Sequence, residues 1–128
     1  MELQAKIVRI NSAVFVAYGI AFIFLPGLFS QYVTGAAPAS ASGMIDMRAT
    51  YGGMSVAVGA LLFSLGADPN HLRKGLLGVI LIMLGMAIGR LYGMIADGSP
   101  NQVMYIYLFL EVAMAAVAGW AFARGEGD

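Results

Sequence analysis

Four long apolar stretches dominate the chain, separated by short segments rich in Gly, Pro, Ser and Asp. They run over about 7–25, 44–65, 75–96 and 101–122. Each is close to the ~20 apolar residues that carry a helix across a bilayer. The first stretch meets Pro26-Gly27, a stop signal. Leu28 to Val33 comes next, and with Phe29 and Tyr32 suited to headgroup level it reads as a short interfacial segment. Residues 35–43 (GAAPASASG) lack periodicity and read as an irregular linker. Ser42 is the expected cap of the second stretch, with Asp46 in its first turn. Asp68 and Pro69 are placed to open the third, and Ser99 and Pro100 the fourth. Short connections make sequential helices antiparallel. The pattern therefore predicts an all-α, up-down four-helix bundle, one transmembrane domain over residues 1–128.

Composition identifies the solvent. Of the 128 residues, 60% are hydrophobic and 11% charged, against about 45–50% and about 25% in soluble domains. Seven basic residues balance seven acidic ones, so there is no basic footprint for a nucleic acid. With no cysteine, disulfides, thiolate catalysis and iron–sulfur ligation are excluded. One histidine, His71 in a polar loop, excludes a buried histidine pair for haem. Lys6 and Arg9 before an apolar run, with small residues at Ala39-Ser40-Ala41, resemble a signal peptide. The run is longer than the usual 7–15-residue apolar region and the small residues lie far beyond it, so an uncleaved first span is expected. Lys6, Arg9, Arg73, Lys74 and Arg124 sit at the termini and central loop, whereas the other connections offer only Arg48. Positive-inside then places both termini and the central loop of this multi-pass chain in the cytoplasm. Trp120 and Phe122 suit an interface, before a polar tail with Arg124 and Glu126.

Candidate chemistry starts from charges inside apolar runs. A charge in hydrocarbon costs roughly 2.5–3.5 kcal/mol on insertion scales, so it normally faces a partner within the bundle. At 1.5 Å per residue, Arg48 lies about 6 Å, Arg90 about 9 Å and Glu111 about 15 Å from the outer ends of spans two, three and four. Three spans thus bring charge into the outer half. The sequence predicts an outward-facing polar pocket with Glu111 at its floor and Arg48 and Arg90 on its walls. Tyr51, Tyr92, Tyr105 and Tyr107 lie at similar depths; Tyr107, at i−4 from Glu111, is the expected neighbour. Ser55 shares the face of Arg48 and Gly52, and Asp97 shares that of Arg90. Candidate ligand-binding residues are Arg48, Tyr51, Ser55, Arg90, Tyr107 and Glu111. The bland reading is an Arg–Glu bridge that only fixes helix register. Two arginines against one deep carboxylate leave positive charge over, which an anionic headgroup or carboxylate would balance.

Other residues carry less. Gly78, Gly85, Gly89 and Gly93 form a helical stripe on span three, and Gly52 and Gly59 another on span two, both read as helix-packing surfaces. A homodimer through the Gly85–Gly93 stripe is one use of that surface. Met44, Met47, Met86, Met94 and Met104 raise soft-metal handling, but flexible core filling is the better account, and no metal site or catalytic residue is assigned. No nucleophile has a nearby base. No cofactor is identified.

The run Asp46-x-Arg48-Ala49-Thr50-Tyr51-Gly52-Gly53, then Gly89-Arg90, then a lone Glu111, resembles a family of small four-helix bacterial inner-membrane proteins catalogued as a domain of unknown function. Pro26 and the Asp97-Gly98 turn fit the same pattern, and the resemblance covers nearly the whole chain. It implies no established activity, only that Arg48, Tyr51, Gly52, Gly53, Arg90 and Glu111 match the family's polar positions. The four-span layout is also loosely similar to DoxX-like membrane proteins, which sit near redox systems; that likeness is one of fold alone. The expected function is a small membrane binding or accessory protein for an amphiphile or anionic group, such as a lipid, a quinone or a partner helix. The rival expectation is a small proton- or ion-coupled transporter using Glu111. It resembles the small multidrug transporters in size, though those carry the glutamate in their first span.

Overall fold

The computed structural model describes residues 1–125, which form five helices and, among the described residues, no strand. They are α1 (Glu2–Phe24), α2 (Pro26–Thr34), α3 (Ala41–Ala67), α4 (Leu72–Asp97) and α5 (Gln102–Arg124). The long four, α1, α3, α4 and α5, are the apolar stretches of the sequence, and each is long and apolar enough to span a membrane. Helices of 23 to 27 residues reach about 35–40 Å, past a hydrocarbon core of about 30 Å.

The helix ends lie outside the apolar runs because local chemistry extends them. Glu2 stands in the first turn of α1, complementing the helix dipole, and its carboxylate pairs with Lys6 one turn on at 2.9 Å. Pro26 does more than stop α1. After a one-residue break at Leu25, it opens α2 at a position where its missing N–H removes no helical bond. The cap of α3 is Ser40 rather than Ser42, accepting from the Gly43 N–H at 3.0 Å, so helix begins sooner and Asp46 falls beyond the first turn. Asp68 closes a turn instead of capping a helix: its Oδ1 accepts from the Asn70 N–H at 2.9 Å, and its Oδ2 lies 3.1 Å from His71 Nδ1. The Asn70 N–H holds the Asp68 carboxyl below its ordinary value. At the fourth span Asn101, not Ser99, is the cap, its Oδ1 accepting from the Met104 N–H at 3.1 Å. Ser99 is held out of helical geometry by the proline after it and adopts a φ of 45°. Glu126, expected in the polar tail, lies outside the described residues.

Contacts between α1 and α3 run in opposite directions, Val8 against Gly66, Ser12 against Gly59, Gly19 against Gly52 and Ile23 against Arg48. The backbones touch. A Cβ on Gly59 would lie 2.5 Å from Val16 Cγ2 and 2.8 Å from the Ser12 carbonyl, so only glycine admits this approach. The Ser12 hydroxyl donates to the Gly59 carbonyl across the same contact at 2.7 Å. The α4–α5 pair is also antiparallel, with Arg73 on Phe122 and Arg90 on Glu111. Gln4 ties α1 to α5 by donating to the Ala121 carbonyl at 3.0 Å. The result is an up-down bundle, with both described ends and the central loop at one end, here the terminal end.

The two halves of the bundle are built differently. The terminal half holds a dry aliphatic core of Ile7, Val8, Leu62, Leu72, Leu76, Val79, Met83, Ala115, Ala118 and Ala121. The far half is filled by rings and charge. Large apolar side chains such as Phe109, Ile88 and Phe63 stand exposed on the perimeter, a surface suited to hydrocarbon rather than water. Buried polar side chains find partners, as Asn11 does on the Ile7 carbonyl at 2.8 Å.

Candidate functional site in the far half

Helix α5 presents Met104, Tyr107 and Glu111 on one face, at i, i+3 and i+7. Arg90 of α4 reaches into that face. Its Nη2 lies 2.6 Å from Glu111 Oε1, and its Nε donates to both carboxylate oxygens at 3.0 and 3.1 Å. Its Nη1 donates to Met104 Sδ at 3.2 Å, and its guanidinium stands 5.1 Å from the centre of the Tyr107 ring. Side-chain exposures of 20% for Arg90 and 7% for Glu111 make this a desolvated, multiply bonded ion pair. The pairing expected from the sequence is present, and Tyr107 lies beside it as a ring under the arginine.

Rings continue the site across the bundle. Tyr107 meets Tyr18 of α1 edge-on at 6.4 Å; Tyr18 lies 4.7 Å from Phe22; and Phe22 stacks on Tyr51 of α3 at 5.3 Å and contacts Phe29 of α2 at 5.9 Å. Tyr18 and Phe22 are thus the link between the two halves of the polar motif. Sequence reasoning misses them because an aromatic residue within an apolar run looks like ordinary core. Their i, i+4 spacing on one face is the available signal. Met104, expected as core filler, is a partner of the Arg90 guanidinium. Tyr92 and Tyr105, at a similar depth in the sequence, face outward, 73% and 58% exposed.

Arg48 does not share the Glu111 carboxylate. Its Nη1 donates to the main-chain carbonyl of Ile23, in the last turn of α1. Carbonyls there lack partners because the helix ends and Pro26 has no N–H to offer. Arg48 begins a wide π-helical turn, Arg48–Gly53, in which the Met54 N–H reaches back five residues to Ala49. Such turns recur at functional sites, and this one spans the whole Arg48-Ala-Thr-Tyr51-Gly-Gly motif. Arg48 and Tyr51 are exposed and Ser55 is half-buried one turn on, with no hydrogen bond joining Ser55 to the ion pair. Asp46 and Asp97 make no ion pair with Arg48 or Arg90. Helix α2 lies across this end: Gly27 packs against Met44, and the Val33 carbonyl accepts from Asn101 Nδ2 at 3.0 Å. Helix α2 thereby bridges α3 and the start of α5 at this end.

The glycines divide into two groups. Gly52 and Gly59 form the α1–α3 contact, and Gly78 meets Leu62, whereas Gly85 and Gly89 have nothing within 4 Å and Gly93 has only Asp97 of its own helix. The Gly85–Gly89 face is uncovered by any of the described residues.

A family model for a domain of unknown function, DUF4345, matches residues 3–122. The chain belongs to the DUF4345 family. No curated protein and no solved structure matches it. The matched residues include the whole candidate site, from Tyr18 on α1 to Glu111 on α5.

Proposed function

We propose that this DUF4345 protein is a small multi-pass membrane protein, with both termini cytoplasmic, that binds an anionic amphiphile in its far half. One observation carries the reading. Arg90 is neutralised by Glu111, whereas Arg48, among the described residues, meets only a neutral carbonyl and has no carboxylate within 4.0 Å. The excess positive charge of the site therefore resides on Arg48, beside the exposed phenol of Tyr51. A phosphate or carboxylate headgroup fits the remaining guanidinium donors, and the Tyr51–Phe22–Tyr18 rings offer an apolar wall for the hydrocarbon attached to it. In this reading the Arg90–Glu111 pair holds the wall in place. Mass spectrometry of amphiphiles retained by gently solubilised protein tests it. Wild type should hold an anionic amphiphile, and Arg48→Ala should lose it while keeping its helicity and elution volume. Equal retention by Arg48→Ala would overturn the assignment.

A second reading, a proton- or ion-coupled transporter working through Glu111, draws support from the uncovered Gly85–Gly89 face, where a second copy would complete a pathway. It requires Glu111 to release Arg90 during each cycle. The chain has no cysteine, so Gly85→Cys gives a clean cross-linking probe in native membranes. Disulfide-linked dimers favour this reading; monomer alone removes its main support.

A further inference from the structure

The terminal end carries a second feature, separate from the far-half site. A groove of ≈ 250 Å³ lies between the start of α1 and the central loop, lined by Met1, Ala5, Arg9, Gly66, Ala67 and Leu72 among others. Most of its wall is apolar. Arg9 is exposed, has no carboxylate or hydrogen-bond partner among the described residues, and lays its stem against Gly66. Glu2 also borders the groove, but its carboxylate is engaged by Lys6 at 2.9 Å. Around it stand Lys6, Arg73, Lys74 and Arg124, with only Glu2 and Asp68 as acidic residues at this end among the described residues. Asp68 is bound up with Asn70 and His71, and Arg124 lies over the Trp120 ring at 4.5 Å, an arrangement typical of headgroup depth.

We propose that this groove is a binding site for a phospholipid with an anionic headgroup, its phosphate on Arg9 and its upper acyl chain against Ala5, Ala67 and Leu72. Charge complementarity selects the occupant. One unpaired guanidinium borders an apolar trough within a basic end, at the level where a membrane phosphate meets its acyl chain. A zwitterionic lipid brings no net charge to that field. A soluble anion leaves the apolar wall uncovered.

The test uses the whole protein in discs of equal phosphatidylglycerol and phosphatidylcholine, with bound lipid counted by native mass spectrometry. Wild type should retain phosphatidylglycerol preferentially. Arg9→Gln removes the cation, and Ala67→Trp fills the trough at an exposed position without touching charge. Each should cut that preference about fivefold, the scale of one basic residue at a membrane surface. Lys74→Gln, one charge removed at the same end but outside the groove lining, should leave it unchanged. Loss in Lys74→Gln equal to that in Arg9→Gln would make the effect diffuse electrostatics and overturn the site. Full retention in Ala67→Trp would overturn it too. Arg48→Ala should retain this lipid, which separates the result from that of the far-half site.

Discussion

The Arg90–Glu111 pair makes the sharpest energetic prediction. Removing one member of a buried ion pair costs about 3–5 kcal/mol, because the survivor stays desolvated without its counter-charge. Arg90 retains 20% side-chain exposure and Glu111 only 7%, so Arg90→Met, which strands the deeper group, should cost the more. Discounting for that residual access leaves roughly 2–4 kcal/mol for each single change. Replacing both, Arg90→Met with Glu111→Leu, removes the stranded charge along with the pair. Such replacements elsewhere are neutral or stabilising, so the double variant should lie within about 1 kcal/mol of wild type. The coupling energy then comes to roughly 3 kcal/mol or more, well above the ~0.5 kcal/mol by which independent sites depart from additivity. Reversible unfolding in mixed micelles with increasing dodecyl sulfate, followed by helical circular dichroism, measures all four proteins. Single losses that add in the double variant would refute the pairing as an energetic unit. A double variant as stable as wild type that has also lost the far-half amphiphile would show that the pair shapes the binding wall as well as the fold.

The two kinds of glycine should separate cleanly. Gly59→Ala forces a Cβ to 2.5 Å from Val16 and 2.8 Å from a backbone oxygen, and should destabilise by about 1–3 kcal/mol; Gly85→Ala and Gly89→Ala meet open space and should be neutral or stabilising by up to about 1 kcal/mol in the monomer. Equal losses at Gly59 and Gly85 in the same unfolding assay would contradict this. Ser12→Ala removes the 2.7 Å bond that the Ser12 hydroxyl donates across the α1–α3 contact to a carbonyl inside α3 and should cost about 0.5–1.5 kcal/mol; no loss would mean that the bond adds nothing to the contact. In the central loop, the Asp68 carboxylate is held below its ordinary 3.8 by the Asn70 N–H. Its hold on the turn is thus present above that value and lost as pH falls through the lowered one. An NMR titration of the Asn70 amide should show a midpoint below 3.8, absent in Asp68→Asn; a midpoint at or above it would refute the bond.

How much of this is legible in the sequence depends on where each signal is stored. Hydropathy is summed over about twenty residues, so all four long helices and their antiparallel order can be read directly. The Arg90–Glu111 pair is legible for a related reason, since a lone acid and base inside apolar runs have few other places to go. Caps are not, because they depend on single dihedrals: Ser40, Ser42, Ser99 and Asn101 are all competent acceptors, and only the path of the chain selects among them. Arg48 shows the deeper limit. The sequence offers it a carboxylate, but the break at Pro26 leaves main-chain carbonyls at the end of α1 without donors, and no residue letter announces a free carbonyl. The nearer, neutral acceptor wins. That outcome is why the excess charge remains at the far end instead of cancelling inside the bundle. The π-helical turn belongs with it. It re-aims Arg48 and Tyr51 by one residue's rotation relative to a regular α3, so where the motif's side chains point depends on backbone geometry that its letters do not spell. In the proposed reading the proline break, the wide turn and the unneutralised arginine act as one device. Restoring α-helical spacing by deleting Gly53 should therefore abolish amphiphile retention as completely as Arg48→Ala, although every charged and aromatic side chain of the site remains. Retention by that deletion would separate the charge from the turn.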